Sequence, residues 1–200
     1  MGNIVSAGVD IRGTRPFLWH WFGPNAISLE KVERTGVAGN DPQEWRNSVL
    51  FTNEGQLYIE PTYVFGSIRD GSKHTKKGRG SIQKLVTATL QVVNDRILFD
   101  RFIPGFDKGL PDELTTDNEQ PVYLDVRSCV NPSTRGRNVR YRVAAAAGWQ
   151  AFFRIEWDKT IVSTGEMQAV LIDAGRLAGI GDGRNIGFGR YEIVGVDLSD

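Results

Sequence analysis

Four glycines, Gly181, Gly183, Gly187 and Gly189, alternate with Arg184, Asn185, Phe188 and Arg190 in the stretch AGIGDGRNIGFGRYEIVGV, Ala178–Val196. A glycine-rich loop can take positive φ and bring its backbone N–H groups close to an anion. Arginines add the charge-assisted hydrogen bonds that phosphates accept. The chemistry expected here is phosphate binding. Two enzyme motifs are excluded. No Lys-Ser or Lys-Thr closes the loop as a P-loop requires, and the order helix, loop, strand is the reverse of a dinucleotide fingerprint. A flexible connector whose glycines serve only tight turns fits the spacing equally well.

Two further stretches concentrate positive charge. Arg69–Arg79 holds Arg69, Lys73, Lys76, Lys77 and Arg79 against the single Asp70, with Lys84 following. Such a run is usually a solvated loop, and it is also the composition of a loop that tracks phosphates. Arg135, Arg137, Arg140 and Arg142 fall within eight residues that contain no acid. In extended structure Arg140 and Arg142 project from one face, with Tyr141 opposite.

Residues for bond-breaking chemistry are sparse. His20 lies between Trp19 and Trp21 and reads as structural before catalytic; His74 sits in the basic run. Asp41, in Gly39–Asn40–Asp41–Pro42, has a turn-capping role ready. One cysteine, Cys129, and two histidines argue against a disulfide framework and an ordinary zinc site. No metal and no cofactor are expected.

The 200 residues suit one domain, 1–200, with insertions at about 24–53 and 70–119. Net charge is +0, so any affinity for nucleic acid rests on local patches, and the acidic segment Leu110–Glu119 offsets the basic ones. Nothing at the N-terminus reads as a signal peptide, and no apolar run approaches the roughly 18 residues of a membrane span. A soluble, cytoplasmic protein without membrane partners is expected.

The elements that must carry these residues follow from periodicity. Ile4–Arg12 alternates as a first strand that continues toward the aromatic run Phe17–Phe22, whose rings read as core. Pro24–Asn53 is a long excursion outside the sheet. Gln56–Ile59 is a short strand, and Pro61 opens a helix toward Arg69 with Tyr63, Val64, Phe65 and Ile68 inward. Ile82–Val93 alternates and continues through Ile97–Phe99, which predicts a hairpin around Asn94–Asp95. Val122–Val130 is a strand, Asn131–Thr134 a turn, and Ala151–Trp157 a core strand. Ser163 and Glu166 form a capping box for a helix over Ser163–Gly175. Its apolar stripe is Met167, Val170, Leu171, Ala174, Leu177 and Ala178. The last strand runs from about Gly187 to Val196.

Without its insertions this order is βαββαβ, an α+β, ferredoxin-like (RRM-like) core with a C-terminal glycine-rich loop. The order and the loop resemble the RAMP superfamily of CRISPR-associated proteins, most of all the RNA-binding backbone subunit of CRISPR effector complexes. Gly179–Arg190, with its Gly-Phe-Gly before a strand, carries the resemblance. So does Ile59–Arg69, IEPTYVFGSIR, where Gly66 and Arg69 match the family's helix start. That pattern is departed from at Pro61, shifted by one, at Thr62–Tyr63 in place of a serine pair, and at Phe65 in place of lysine.

The resemblance implies a non-enzymatic subunit that assembles head to tail along single-stranded guide RNA, with complementary target nucleic acid as a further partner. It implies contacts from Gly66, Arg69, Lys73, Lys76, Lys77, Arg79 and Lys84, from Arg135, Arg137, Arg140 and Arg142, and from Gly181, Gly183, Arg184, Gly187 and Phe188. Some relatives cut RNA with an aspartate in the first insertion, where Asp41 is the candidate; others process RNA with histidine. Three alternatives stay open: an RNA endonuclease of the same fold, a sequence-independent single-stranded DNA-binding or annealing protein, and an interaction scaffold.

Overall fold

Alternation sets the centre of the fold. Val5, Ala7, Val9 and Ile11 of β1 (Ile4–Gly13) stand opposite Trp157, Ile155, Phe153 and Ala151 of β10 (Gln150–Asp158), pair by pair in antiparallel register. All of them are buried, on one face, because strand side chains repeat every two residues. β11 (Tyr191–Ser199) pairs with the other edge of β1, with a register shift between Asp10 and Ile11. The computed structural model describes residues 2–23, 41–107, 109–130 and 135–199. The turn expected at Asn131–Thr134, and the excursion from Pro24 up to residue 40, lie outside them.

Among the described residues the main sheet has the order β11-β1-β10-β7-β3, where β3 is Gln56–Ile59 and β7 is Ile97–Phe102. A short strand, β6 (Gln91–Val92), also pairs with β10. All these pairings are antiparallel. Two helices cover the buried face. α2 (Pro61–Gly71) begins with proline, whose missing N–H belongs to the first turn, where no intrahelical partner exists. It buries Val64 and Ile68. α4 (Thr164–Asp173) buries Met167, Val170 and Leu171, and its capping box forms as expected: Ser163 Oγ accepts the Glu166 N–H, and Glu166 accepts the Ser163 N–H. The architecture is α+β with a mostly antiparallel sheet and few helices, compatible with a ferredoxin-like arrangement.

Several local expectations are corrected. Ile82–Thr89 is not extended: α3 (Gln83–Thr89) forms there, because Ile82, Val86 and Leu90 recur every fourth residue and all are buried. No hairpin joins β6 to β7. Both lie along β10, through Ile155↔Val92 and Ala151↔Phe99, and Asn94 Oδ1 accepts the Arg154 N–H between them at 2.6 Å. These strands fall inside the stretch read as the second insertion. The first strand stops at Gly13. Phe17–Leu18 (β2) joins a separate sheet of order β2-β9-β8, with β8 Val122–Val130 and β9 Arg137–Ala145.

The described part of the first excursion packs inward. Trp45 of α1 (Trp45–Ser48), Val49 and Leu50 are buried, and Phe51 bridges to Leu57. The basic run contains a small hairpin of β4 (Lys76–Lys77) and β5 (Gly80–Ser81). Of the aromatic run, Phe17 and Trp19 are core, whereas Phe22 is 69% exposed. Among the described residues no helix is long and apolar enough to cross a membrane.

Candidate nucleic-acid interface

α4 does not end as a regular helix. A π-helical turn, Ala174–Ala178, follows it and closes with the Gly179 N–H on the Ala174 carbonyl at 2.7 Å. The wider turn rotates the register, so Leu177, expected in the buried stripe, is 47% exposed. Such turns often occur at functional sites.

The glycine loop that follows is tied down. Its neck closes through the Ile180 N–H on the Gly189 carbonyl at 2.9 Å, and it docks on the chain before β2 through the Gly189 N–H on the Pro16 carbonyl at 2.8 Å. The Asp182 N–H reaches the Leu18 carbonyl at 3.0 Å. A 3-10 turn, Arg184–Ile186, forms the tip. Gly181, Gly183 and Gly187 have positive φ. Gly189 is the most constrained: its φ is +64°, and a Cβ there would sit 1.7 Å from the Ile180 carbonyl oxygen. The loop is therefore built rather than slack. Many of its N–H groups are spent on its own bonds, which leaves the approach to an anion mainly to side chains. The last strand accordingly starts at Tyr191, not at Gly187.

The loop, the π turn and the end of α2 enclose a cleft of about 450 Å³. Arg184, Arg190, Asn185, Lys73 and His74 line it, with Asp70 and Asp182. Arg190 Nη2 donates to the Arg184 carbonyl at 3.2 Å, while Arg190 Nη1 is buried with no hydrogen-bond partner among the described residues. Burial first, and then the positive charge of Arg184, lowers the Arg190 pKa. Two arginines side by side at the cleft can offer an anion charge-assisted hydrogen bonds.

The strand arginines divide by register. Arg142, Arg140 and Asn138 of β9 stand opposite Asp125, Arg127 and Cys129 of β8, all on one face. Arg137, opposite Val130, lies on the other face, and Arg135 precedes the strand with φ 56°. Arg140 donates to Glu44 at 3.1 Å. Arg142 is 4% exposed, is paired with Asp182 and donates to Cys129 Sγ at 3.1 Å. Phe188 is half-buried with the Arg127 guanidinium 4.6 Å above its ring.

The basic run divides too. Arg69 and Lys73 converge on Asp70 beside the cleft, at 3.2 and 2.9 Å. Lys77 instead reaches Glu166 at 3.0 Å and the Ile161 carbonyl at 3.2 Å, at the far end of α4. Lys76, Arg79 and Lys84 are exposed. Gly66 faces open space, with nothing among the described residues within 4 Å of a Cβ placed there. Asp41 performs the turn role: its Oδ1 accepts the Gln43 N–H at 2.8 Å. His20 is half-buried, and burial lowers its pKa, with Asp182 and Glu44 opposing and Arg140 and Arg142 assisting. Among the described residues no cluster of His, Cys, Asp or Glu gathers as for a metal ion.

Sequence reasoning missed Asp182, Arg127 and the two-sided use of Asp70. For Asp182 the signal was present, as the one acid inside an otherwise basic glycine loop. For Arg127 there was none, because its contact with Phe188 is made only by the tertiary fold.

No protein-family model matches the chain, and no curated protein matches it. The fold is similar to that of a solved structure. That structure is a chain in "Cryo-EM structure of the Type III-B Cmr-beta bound to cognate target RNA", with a TM-score of 0.54 and 12% sequence identity. The likeness covers 98% of this chain and 60% of that one, so this chain spans less than two thirds of its neighbour's length. At this identity the likeness is one of fold.

Proposed function

We propose that this chain is a non-enzymatic RNA-binding subunit of a CRISPR-type effector, with a ferredoxin-like RAMP core, that assembles with further copies along a guide RNA. The observation that carries the reading is the convergence of Lys73, from the turn after α2, with Arg184 and Arg190 from the glycine loop on one cleft. Three cations from two separate elements suit a phosphate backbone, which supplies most sequence-independent affinity. The strand order β11-β1-β10-β7 fits a βαββαβ core in which α2 and α4 are the two helices. The fold likeness to a chain of an RNA-bound Type III-B complex supports the same reading. Complementary target nucleic acid is the further partner such a role requires.

The test is purification at moderate salt. It records the ratio of absorbance at 260 and 280 nm and the mass by size exclusion, before and after RNase or DNase, followed by titration with single-stranded RNA and DNA. RNase-sensitive nucleic acid in a large assembly, with tighter binding of RNA than DNA, is expected. DNase-sensitive material would point to a single-stranded DNA-binding protein. A monomer with no salt-dependent affinity for either polymer would overturn the proposal.

A further inference from the structure

Asp70 is the hub of a four-membered ion cluster. Its Oδ1 accepts from Arg69 Nε at 3.2 Å and from Lys73 Nζ at 2.9 Å, and its Oδ2 accepts from Arg184 Nη1 at 3.1 Å. Arg69 and Lys73 come from the end of α2 and the turn after it; Arg184 comes from the tip of the glycine loop. The Asp70 side chain is 17% exposed, whereas those of Arg69, Lys73 and Arg184 are 45%, 53% and 35% exposed. The carboxylate is thus the most buried member of the cluster, and its three cationic partners are the more exposed ones. Burial works against its ionisation, but the hydrogen bonds from Lys73 and Arg69 prevail and hold its pKa down at about 2. Lys73 has three donors and arginine five, so single bonds to Asp70 leave most of them for a ligand.

We infer that Asp70 is a positioning residue: by compensating and orienting Lys73 and Arg184 it presets their free donors for one polynucleotide phosphate in the cleft. The inference rests on the RNA-binding reading and deepens it. Without Asp70, like charges from α2 and the loop repel, and each side chain must be ordered anew on binding, at a cost in conformational entropy.

The role makes a prediction opposite in sign to simple electrostatics. Asp70→Asn is nearly isosteric and makes the cleft more positive by one charge, so a site that only attracts phosphate would bind more tightly. Preorganisation predicts weaker binding, by about tenfold, the worth of a single charge-assisted hydrogen bond. The slope of log affinity against log salt should also shrink by about 0.7 for each single-strand phosphate that the protein no longer neutralises.

The experiment titrates the full chain with a single-stranded oligouridine at several salt concentrations. It compares wild type, Asp70→Asn, the double variant Lys73→Gln/Arg184→Gln, and the triple variant, with thermal unfolding as the folding control. The expected result is a loss with Asp70→Asn in the wild-type background that vanishes in the Lys73→Gln/Arg184→Gln background. Equal losses in both backgrounds, or tighter binding by Asp70→Asn, would overturn the positioning role while leaving RNA binding intact. A wild type that binds no oligouridine at any salt overturns both.

Discussion

Arg142 of β9 is joined to Asp182 of the glycine loop by an ion pair whose guanidinium is 4% exposed and whose carboxylate is 37% exposed. With the Asp182 N–H on the Leu18 carbonyl at 3.0 Å, the pair fastens the loop to the small sheet. Two backbone hydrogen bonds at the loop's neck and base complete the attachment. Arg142 is therefore better placed to hold the loop than to meet a phosphate, although its position in a run of four arginines suggests the latter.

Replacing Arg142 with Ala should accordingly cost stability first. Breaking a fully buried pair costs about 3–5 kcal/mol; with Asp182 over a third open to water, about 2 kcal/mol is the reasonable expectation. For a chain of this size that lowers the melting temperature by roughly 4–8 °C. Arg184→Ala should do the reverse, with little change in melting and a weaker, less salt-dependent RNA affinity. Thermal unfolding and salt titrations of the two variants side by side check the assignment. A full-strength reduction of the salt slope in a stable Arg142→Ala chain would return Arg142 to the interface.

Acid should loosen the same region through His20. Its pKa in the folded chain lies below the ordinary 6.5 because of burial, with Asp182, Glu44, Arg140 and Arg142 as its charged neighbours. The unfolded chain therefore binds the proton more readily. His20 imposes no penalty above 6.5, and its penalty grows as pH falls from 6.5 through the folded value. Burial works against ionisation of Asp182, but the Gly183 N–H and the Arg142 guanidinium hold its pKa below the ordinary 3.8. Its contribution therefore disappears only at lower pH, so the two groups are separable. His20→Gln should flatten the pH dependence of melting between about pH 7 and pH 5. An unchanged profile would remove His20 as the titrating group.

The parts of the fold legible in the sequence were those in which one period governs a whole element. β8 over Val122–Val130 and the capped start of α4 at Ser163 lie where periodicity put them. The failures arise where two periods share residues. Ile82, Val86 and Leu90 satisfy a helix, yet the intervening Lys84 and Thr87 let the same stretch pass for alternation. Leu177 satisfies an α-helical stripe, and only the π turn, a property of backbone and packing, moves it outward. In the candidate interface the charge-bearing segments were legible, but the division of labour was not. Arg184 and Arg142 both meet a carboxylate across the fold, Asp70 and Asp182, yet Arg184 stays 35% exposed and Arg142 only 4%, a difference that depends on the tertiary surroundings of each.

The two ends of the basic run should behave differently. Lys73 lines the cleft, and Lys77 is held by Glu166 and the Ile161 carbonyl at the start of α4. Lys73→Ala should weaken binding of single-stranded RNA several-fold and lower the salt slope by about 0.7. Lys77→Ala should leave both nearly unchanged, and it should lower stability by no more than about 1 kcal/mol, the usual worth of an exposed ion pair. Salt titration of the two variants measures the difference directly. Equal effects would mean that RNA follows the whole basic run and passes over the hairpin of β4 and β5.

Gly66 offers a test in which stability and binding move in opposite directions. A glycine inside a helix is less favourable than alanine by roughly 0.5–1 kcal/mol, and a Cβ at Gly66 would meet nothing within 4 Å among the described residues. No internal contact of α2 therefore requires glycine, and Gly66→Ala should raise the melting temperature by about 1–4 °C. If RNA runs close over this face of α2, the added methyl should weaken RNA binding, and a larger side chain such as Gln should weaken it further. Melting curves and RNA titrations of Gly66→Ala and Gly66→Gln decide the matter. Improved stability with unchanged affinity in both variants would keep the polynucleotide path at the glycine loop and away from the middle of α2.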